Sequence, residues 1–274
     1  MLSTSIGTDL TLDQLSSSTR EALSESAEAF SVLGVRDTMT YDFIAAANPS
    51  VQSKMEITPD PTFAYEIAQT YALRFLQKRT IDPEIPIVGL DVPPHLPGVE
   101  KAVIHFKAKG YRFANWGCIT RLTDYDLLDM GPFEWASIFS RFSLTLTDRF
   151  HSSIFSLKNH TPVITIDHKP TRITASSQSK VSALLDSFGI KDTNYCDATT
   201  IDNSEWILVA MENSLDIPDA GQIKSNLARM KDKYNAYLHK LYWEKAVWLA
   251  IAVGYIGKVA LFCMFKLIAS RKHG

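Results

Sequence analysis

Apolar positions along this chain fall into two rhythms that keep trading places. Short, nearly continuous or alternating apolar runs predict strands, and runs with apolar residues every three or four positions predict helices. "FSVLGVRD" (Phe30 to Asp37) predicts a strand ending in charge, and "TMTYDFIAAA" a helix with Thr38 placed to cap it. "SKMEITPDP" (Ser53 to Pro61) predicts the next strand, stopped by prolines. A helical "TFAYEIAQTYALRFLQKR" and the apolar "IPIVGLDVPP" follow. The stretch from Pro83 to Pro97 is the best candidate for a boundary or hinge. Beyond it, Gly98 to Lys109 predicts a helix and "YRFANWGC" a strand. "FEWASIFSRF" predicts an amphipathic helix with Trp135, Ile138, Phe139 and Phe142 on one face. "SLTLT" reads as strand, "SSIFSLKN" as a short helix and "PVITID" as strand again. "SSQSKVSALLDSFGI" reads as a capped helix ending at Gly189. A long amphipathic helix closes the series from Ala220 to Leu241, with Ile223, Leu227, Met230, Tyr234, Tyr237 and Leu241 along one side. Strand and helix alternating in this way predict an α/β fold with a parallel sheet.

Composition narrows the class without naming a chemistry. The chain has 274 residues, 46% apolar and 21% charged, which is enough for two modest domains with real cores. Net charge is −2 and no basic block stands out, so nucleic acid is not the expected partner. Cys118, Cys196 and Cys263 are far apart and form neither a CxxC pair nor a metal-ligand spacing. They predict free thiols in a reducing, cytoplasmic setting, and no metal site. The polar start, "MLSTSIGTDLTLDQLSSSTREALSES", lacks the charged and apolar regions of a signal peptide and reads as a lead-in to a helix.

The other end departs from this. "AVWLAIAVGYIGKVALFCMF", from Ala246 to Phe265, carries a single charge, Lys258, and is long enough to cross a bilayer core. A central lysine disfavours a simple span. The flanking Lys245, Lys266, Arg271 and Lys272 suit a helix whose cationic tail stays on the cytoplasmic side. Three readings stand together: a membrane span, an in-plane helix with Lys258 snorkelling, and a buried closing helix.

Candidate chemistry concentrates where "SLTLT" gives way to Asp148-Arg149-Phe150-His151 and the helix beginning at Ser152-Ser153. In an open parallel sheet, ligands sit outside the carboxyl ends of strands. A helix start offers amide donors and the positive end of the dipole to an anion. Arg149 adds a planar fork for a phosphate or carboxylate, and His151 a group that gives or takes a proton near neutral pH. Read as residues alone, the string also fits a surface ion pair followed by a helix cap.

These residues carry a resemblance. "TDRFHSSIFSLKNHTPVITID" resembles the signature of the polysaccharide pyruvyl transferase family, in which a strand ends in Arg-x-His before a small-residue helix and a Pro-Val-Ile strand. "FSVLGVRDTMTYDFI" is similar to the family's strand–Arg-Asp–helix segment, "EITPDPTF" to its Pro-Asp-Pro element and "SKVSALLDSFGI" to its closing helix. The pieces occur in the family's order over Phe30 to Ile190. The resemblance implies a GT-B-like fold of two Rossmann-type halves with parallel sheets and a cleft between them. It implies phosphoenolpyruvate as donor substrate, no cofactor, no catalytic metal, and a pyruvate ketal on a sugar of a polysaccharide or lipid-linked oligosaccharide. His151 then matches the catalytic histidine, Arg149 the neighbouring donor-binding arginine and Arg36 the arginine from the other half. Asp148, Ser152, Ser153 and His168 are expected to line the donor site; Asp37 is a further acid that could orient it. Asp60 reads as a turn former, Lys180 as surface, and Trp116 and Trp135 as packing.

One family feature, a Gly-rich strand–loop–helix near the N-terminus, has no counterpart. The expected architecture is therefore an incomplete Rossmann-like half over 1–85, a second half with the donor site over 86–219, an amphipathic helix over 220–245 and an apolar, membrane-contacting helix over 246–268. The alternatives are a GT-B glycosyltransferase using a nucleotide sugar, and a truncated, non-catalytic membrane-associated binding protein.

Overall fold

Two parallel sheets of unequal size organise the chain. The computed structural model describes residues 11–64, 66–117, 120–167, 179–198, 205–215 and 221–242. Helix α1 (Ser17–Glu28) starts at Ser16, whose hydroxyl accepts from the Thr19 amide at 3.1 Å. Strand β1 (Leu33–Val35), helix α2 (Thr38–Ala47) and strand β2 (Met55–Ile57) follow, and β1 pairs with β2 in parallel. Asp37 rather than Thr38 caps α2. Its Oδ1 accepts from the Thr40 amide at 2.7 Å and the Thr40 hydroxyl at 2.6 Å, which makes Thr38 the first helical residue. The helix predicted from Thr62 is shorter. Pro61–Phe63 is a 3₁₀ turn fixed by the Asp60 carboxylate, and α3 covers only Thr70–Lys78.

The larger sheet contains β3 (Ile87–Asp91), β4 (Arg112–Asn115), β5 (Tyr125–Asp126), β6 (Phe142–Thr147), β7 (Val163–Asp167) and β8 (Tyr195–Asp197). Their spatial order is β5-β4-β3-β6-β7-β8, all parallel. Counted from β3, this is the doubly wound order 3-2-1-4-5-6, with the reversal between β3 and β6. The segment read as a hinge thus carries the strand at that reversal. β3 is wholly buried between β4 and β6, and its prolines lie outside the paired residues.

Helices cover both faces, as parallel sheets require. On one side Val88, Leu90, Leu144 and Leu146 pack with Phe106 of α4 (Val99–Ala108) and Ile207 and Met211 of α9 (Trp206–Leu215). On the other, Ile87 and Phe142 pack with Leu76 of α3, Ile138 of α5 (Pro132–Ile138) and Phe155 of α6 (Phe150–Lys158). The register shifts between Ile87 and Val88, which sends Phe142 to one face and Leu144 and Leu146 to the other. Burial of each such side chain contributes about 1.5–3 kcal/mol.

Helix α7 (Lys180–Ser187), capped by Ser179, and the short α8 (Lys191–Asn194) complete this half. The last helix, α10 (221–242), ties the two sheets together. Ile223, Leu227 and Met230 pack on the α6–α7 cluster beside Phe63 and Phe188, and Tyr234 and Tyr237 pack on Val32 beside β1. The amphipathic face predicted for this helix is therefore the face that docks. Cys196 is a free, buried thiol. Among the described residues no helix is long and apolar enough to cross a membrane, and the apolar segment 246–268 lies outside them.

Candidate active site

Strand β6 delivers its last residues to the carboxyl edge of the sheet at the point of reversal. The Asp148 amide still bonds to the Asp91 carbonyl at 3.1 Å, so β3 and β6 stay paired up to the site. The Arg149 amide then donates to Thr147 Oγ1 at 3.0 Å, turning the chain into α6. No side chain caps α6. Its first turn therefore presents amide donors at the edge where Phe150, His151 and Ser152 line a cavity of about 430 Å³. Asp91, Trp116, Trp135 and Arg149 line the same cavity.

Arg149 is 66% exposed and pairs with Asp148, Nε to Oδ1 at 2.9 Å. His151 is 46% exposed, neither sealed in apolar surroundings nor detached from its neighbours. Its Nε2 stands 3.5 Å from Asp60 Oδ2. Ser152 is buried and donates its hydroxyl to Asp91 Oδ2 at 3.0 Å. Ser153 lies deeper, donating to the Arg149 carbonyl at 2.9 Å beside Thr165, and does not line the cavity. His168 lies outside the described residues.

The smaller sheet reaches the same place. Arg36, at the end of β1, donates to Asp60 Oδ2, the oxygen that also faces His151. Asp60 Oδ1 accepts from the Thr62 amide at 2.9 Å and the Thr62 hydroxyl at 2.7 Å. The Thr62 carbonyl accepts from Lys158 at the far end of α6. Burial by itself would raise the pKa of Asp60. His151, both Thr62 bonds and Arg36 outweigh it and hold the carboxyl well below the usual carboxylate range. Arg36 thus meets His151 through a shared, ionised carboxylate. Asp37 Oδ2 lies 3.6 Å from Lys180 Nζ, a second charged contact between the two halves.

Asp91, at the end of β3, has the opposite character. Burial raises its pKa and nearby Asp148 adds to the rise, while the Ser152 hydroxyl, Arg149 and Trp116 oppose it incompletely. The site therefore contains two buried carboxyls, one held ionised and one pushed toward its neutral form. Among the described residues no group of three or more His, Cys, Asp or Glu side chains is placed to hold a metal.

Sequence reasoning brings Arg149, His151 and Ser152 to the cavity and pairs Asp148 with Arg149. It undervalues Asp60, which does shape a turn but also bridges Arg36 and His151. It overlooks Asp91, although "IVGLD" ends in an acid at a strand's carboxyl end, the same signal that marks Asp148. It also takes Lys180 for surface, where the side chain is mostly covered beside Asp37. Trp116 and Trp135 do pack on Phe139, Phe142 and Phe155, and they form a wall of the cavity as well.

The sequence model of the polysaccharide pyruvyl transferase family matches residues 1–170. That span includes β1 to β7 and all of the cavity-lining residues. The chain belongs to the polysaccharide pyruvyl transferase family. No curated protein matches it. Among solved structures, it is similar to a UDP-forming α,α-trehalose-phosphate synthase from Burkholderia xenovorans, with a TM-score of 0.49 at 8% identity over 85% of this chain and 66% of that one. It is also similar to the ADP-heptose lipopolysaccharide heptosyltransferase II of E. coli, with a TM-score of 0.40 at 8% identity over 72% of this chain and 80% of that one. The chain thus spans just under two thirds of the first of these structures. What membership adds is a frame for the site: the Arg149–His151 pair, the Asp60 bridge and the cavity all fall inside the part of the chain that the pyruvyl transferase family shares.

Proposed function

We propose that the chain transfers the pyruvyl group of phosphoenolpyruvate to a sugar of a polysaccharide or lipid-linked oligosaccharide, forming a pyruvate ketal. The observation that carries this reading is the joint placement of Arg149 and His151 on one cavity, at the carboxyl end of β6, in a member of the pyruvyl transferase family. Phosphoenolpyruvate bears a phosphate and a carboxylate, and the first turn of α6 with the Arg149 fork supplies donors for both.

The residues divide the work. Arg149 and the α6 amides hold the donor's anionic groups. His151 delivers a proton to the methylene carbon, which makes C2 electrophilic, and a sugar hydroxyl adds there. Phosphate departs with the electron pair of its bond to C2, and a second hydroxyl closes the ketal. Asp60 keeps the imidazole in place through its contact with Nε2, and Arg36 and Thr62 keep Asp60 in place. Arg36 is thus a positioning residue for His151 until the donor arrives.

Incubation with phosphoenolpyruvate and a lipid-linked oligosaccharide tests this. The reading expects inorganic phosphate and an acid-labile pyruvate ketal in equal amounts, from the wild type and not from His151→Ala. Release of a nucleoside diphosphate from a nucleotide sugar, with no use of phosphoenolpyruvate, would replace it with glycosyl transfer.

A further inference from the structure

We propose that Asp91, at the end of β3, receives a hydroxyl of the sugar acceptor in the cavity it shares with His151 and Arg149, and takes that hydroxyl's proton as the oxygen bonds to the donor. The proposal rests on the pyruvyl-transfer reading and names the acceptor side of the same site.

Asp91 stands among Ser152, Arg149 and Trp116 at the wall of the cavity. Asp91 is 6% exposed yet lines the cavity. Among the described residues it makes no ion pair, so it is not half of a structural salt bridge. One oxygen, Oδ2, is fixed by the Ser152 hydroxyl at 3.0 Å. The other, Oδ1, lies against Gly117, where an added Cβ would come within 2.3 Å of it, so only a glycine at 117 admits the carboxyl in this position. Trp116, whose ring stacks on Phe142 at 5.4 Å between centroids, and Trp135 wall the same cavity and offer flat apolar surfaces to the C–H face of a sugar ring. A carboxylate beside a pocket for a multiply charged anion repels that anion. Its placement makes chemical sense for a ligand that donates a hydrogen bond, and a sugar hydroxyl is such a ligand.

The proton count closes. The methylene carbon gains a proton from His151, and Asp91 takes the proton of the first hydroxyl. Phosphate leaves with the C2–O electron pair. The two hydroxyl protons lost in forming the ketal replace the one given by His151 and protonate the released phosphate.

Asp91→Asn keeps the size of the side chain and an oxygen to accept from Ser152, but it cannot take a proton. It is expected to lower transfer to the sugar by about 10²-fold or more, the usual contribution of a positioned base, with phosphoenolpyruvate binding by calorimetry unchanged or tighter. Gly117→Ala, which pushes a methyl group against Oδ1, is expected to lower kcat/KM for the acceptor with donor binding again retained. Wild-type-like transfer by Asp91→Asn, or loss of donor binding along with transfer in both variants, overturns the proposal while leaving pyruvyl transfer intact. Failure of the wild type itself to use phosphoenolpyruvate instead defeats the reading on which the proposal rests.

Discussion

The two sheets differ in what they can do alone. The six-stranded sheet has helices on both faces, a continuous core and the cavity at its point of reversal. The sheet of β1 and β2 has two strands of three residues over a small cluster of Ala27, Leu33, Val35, Ile44 and Val51. A two-stranded sheet is marginal in isolation. It is held from outside, by Tyr234 and Tyr237 of α10 against Val32 and by the charged contacts of Asp60 with His151 and of Asp37 with Lys180 in the larger half. The lesson is a division of labour. The large sheet supplies rigidity and the cavity, and the small one supplies the carboxylate that meets His151.

That contrast can be broken most forcefully at Tyr237, which is fully buried and whose hydroxyl would lie only 2.5 Å from a Cβ added at Gly34. Tyr237→Ala is expected to cost about 3–5 kcal/mol in denaturant titration, the range for emptying a buried aromatic site. Hydrogen exchange should show the β1 and β2 amides opening at lower free energy than β3 and β6. Equal loss of protection in both sheets would show that they are one unit.

Asp60→Asn probes the joint between the halves. Removing one partner of a buried pair costs about 3–5 kcal/mol, and the partial exposure of Arg36 places this case at or below the lower end. The sign with pH follows from the depressed pKa of Asp60, which leaves the folded chain holding fewer protons than the unfolded one below the ordinary carboxylate value of 3.8. Stability from this group is thus fully present above that pH and is lost as pH falls below it. The wild type should lose stability steeply on acidification, and Asp60→Asn should flatten that slope in an acid titration followed by circular dichroism.

Asp91 should behave in reverse. Its raised pKa makes the folded state bind protons more tightly than the unfolded one, so its stabilising share is present at low pH and lost as pH rises through the folded value. Asp91→Asn is expected to be more stable than the wild type at neutral pH while transferring less pyruvate. A midpoint below the wild type's would contradict that trade-off. A smaller effect is expected at Arg149, where Lys replaces a fork by a point charge. Donor affinity should fall roughly tenfold, about 1.4 kcal/mol, with no change in the unfolding midpoint. At the far end of the scale, Lys101→Ala removes a solvated pair with Glu205 on the large half and should leave midpoint and activity alike unchanged.

Much of this division was legible in the chain. Period-two and period-3.6 runs mark β1, β6, β7, α6 and α7, because strands buried on both faces and amphipathic helices leave strong local patterns. The α10 face was legible for the same reason. The Arg149–His151 pair could be read because both residues sit on one short turn. Asp60 and Asp91 could not be placed in the site, since their partners lie 24 and 61 residues away and only the sheet order brings them there. At the segment foreseen as a helix from Thr62, Asp60 caps only a single 3₁₀ turn, Pro61–Phe63, and the helix begins at Thr70.

One cavity is proposed to grip a small, doubly functional anion. Calorimetric titration of the full chain with phosphoenolpyruvate tests it most directly. Saturable binding at a single site, abolished in Arg149→Ala and retained in Asp91→Asn, is expected. No heat from the wild type, or binding that Arg149→Ala leaves untouched, would contradict it.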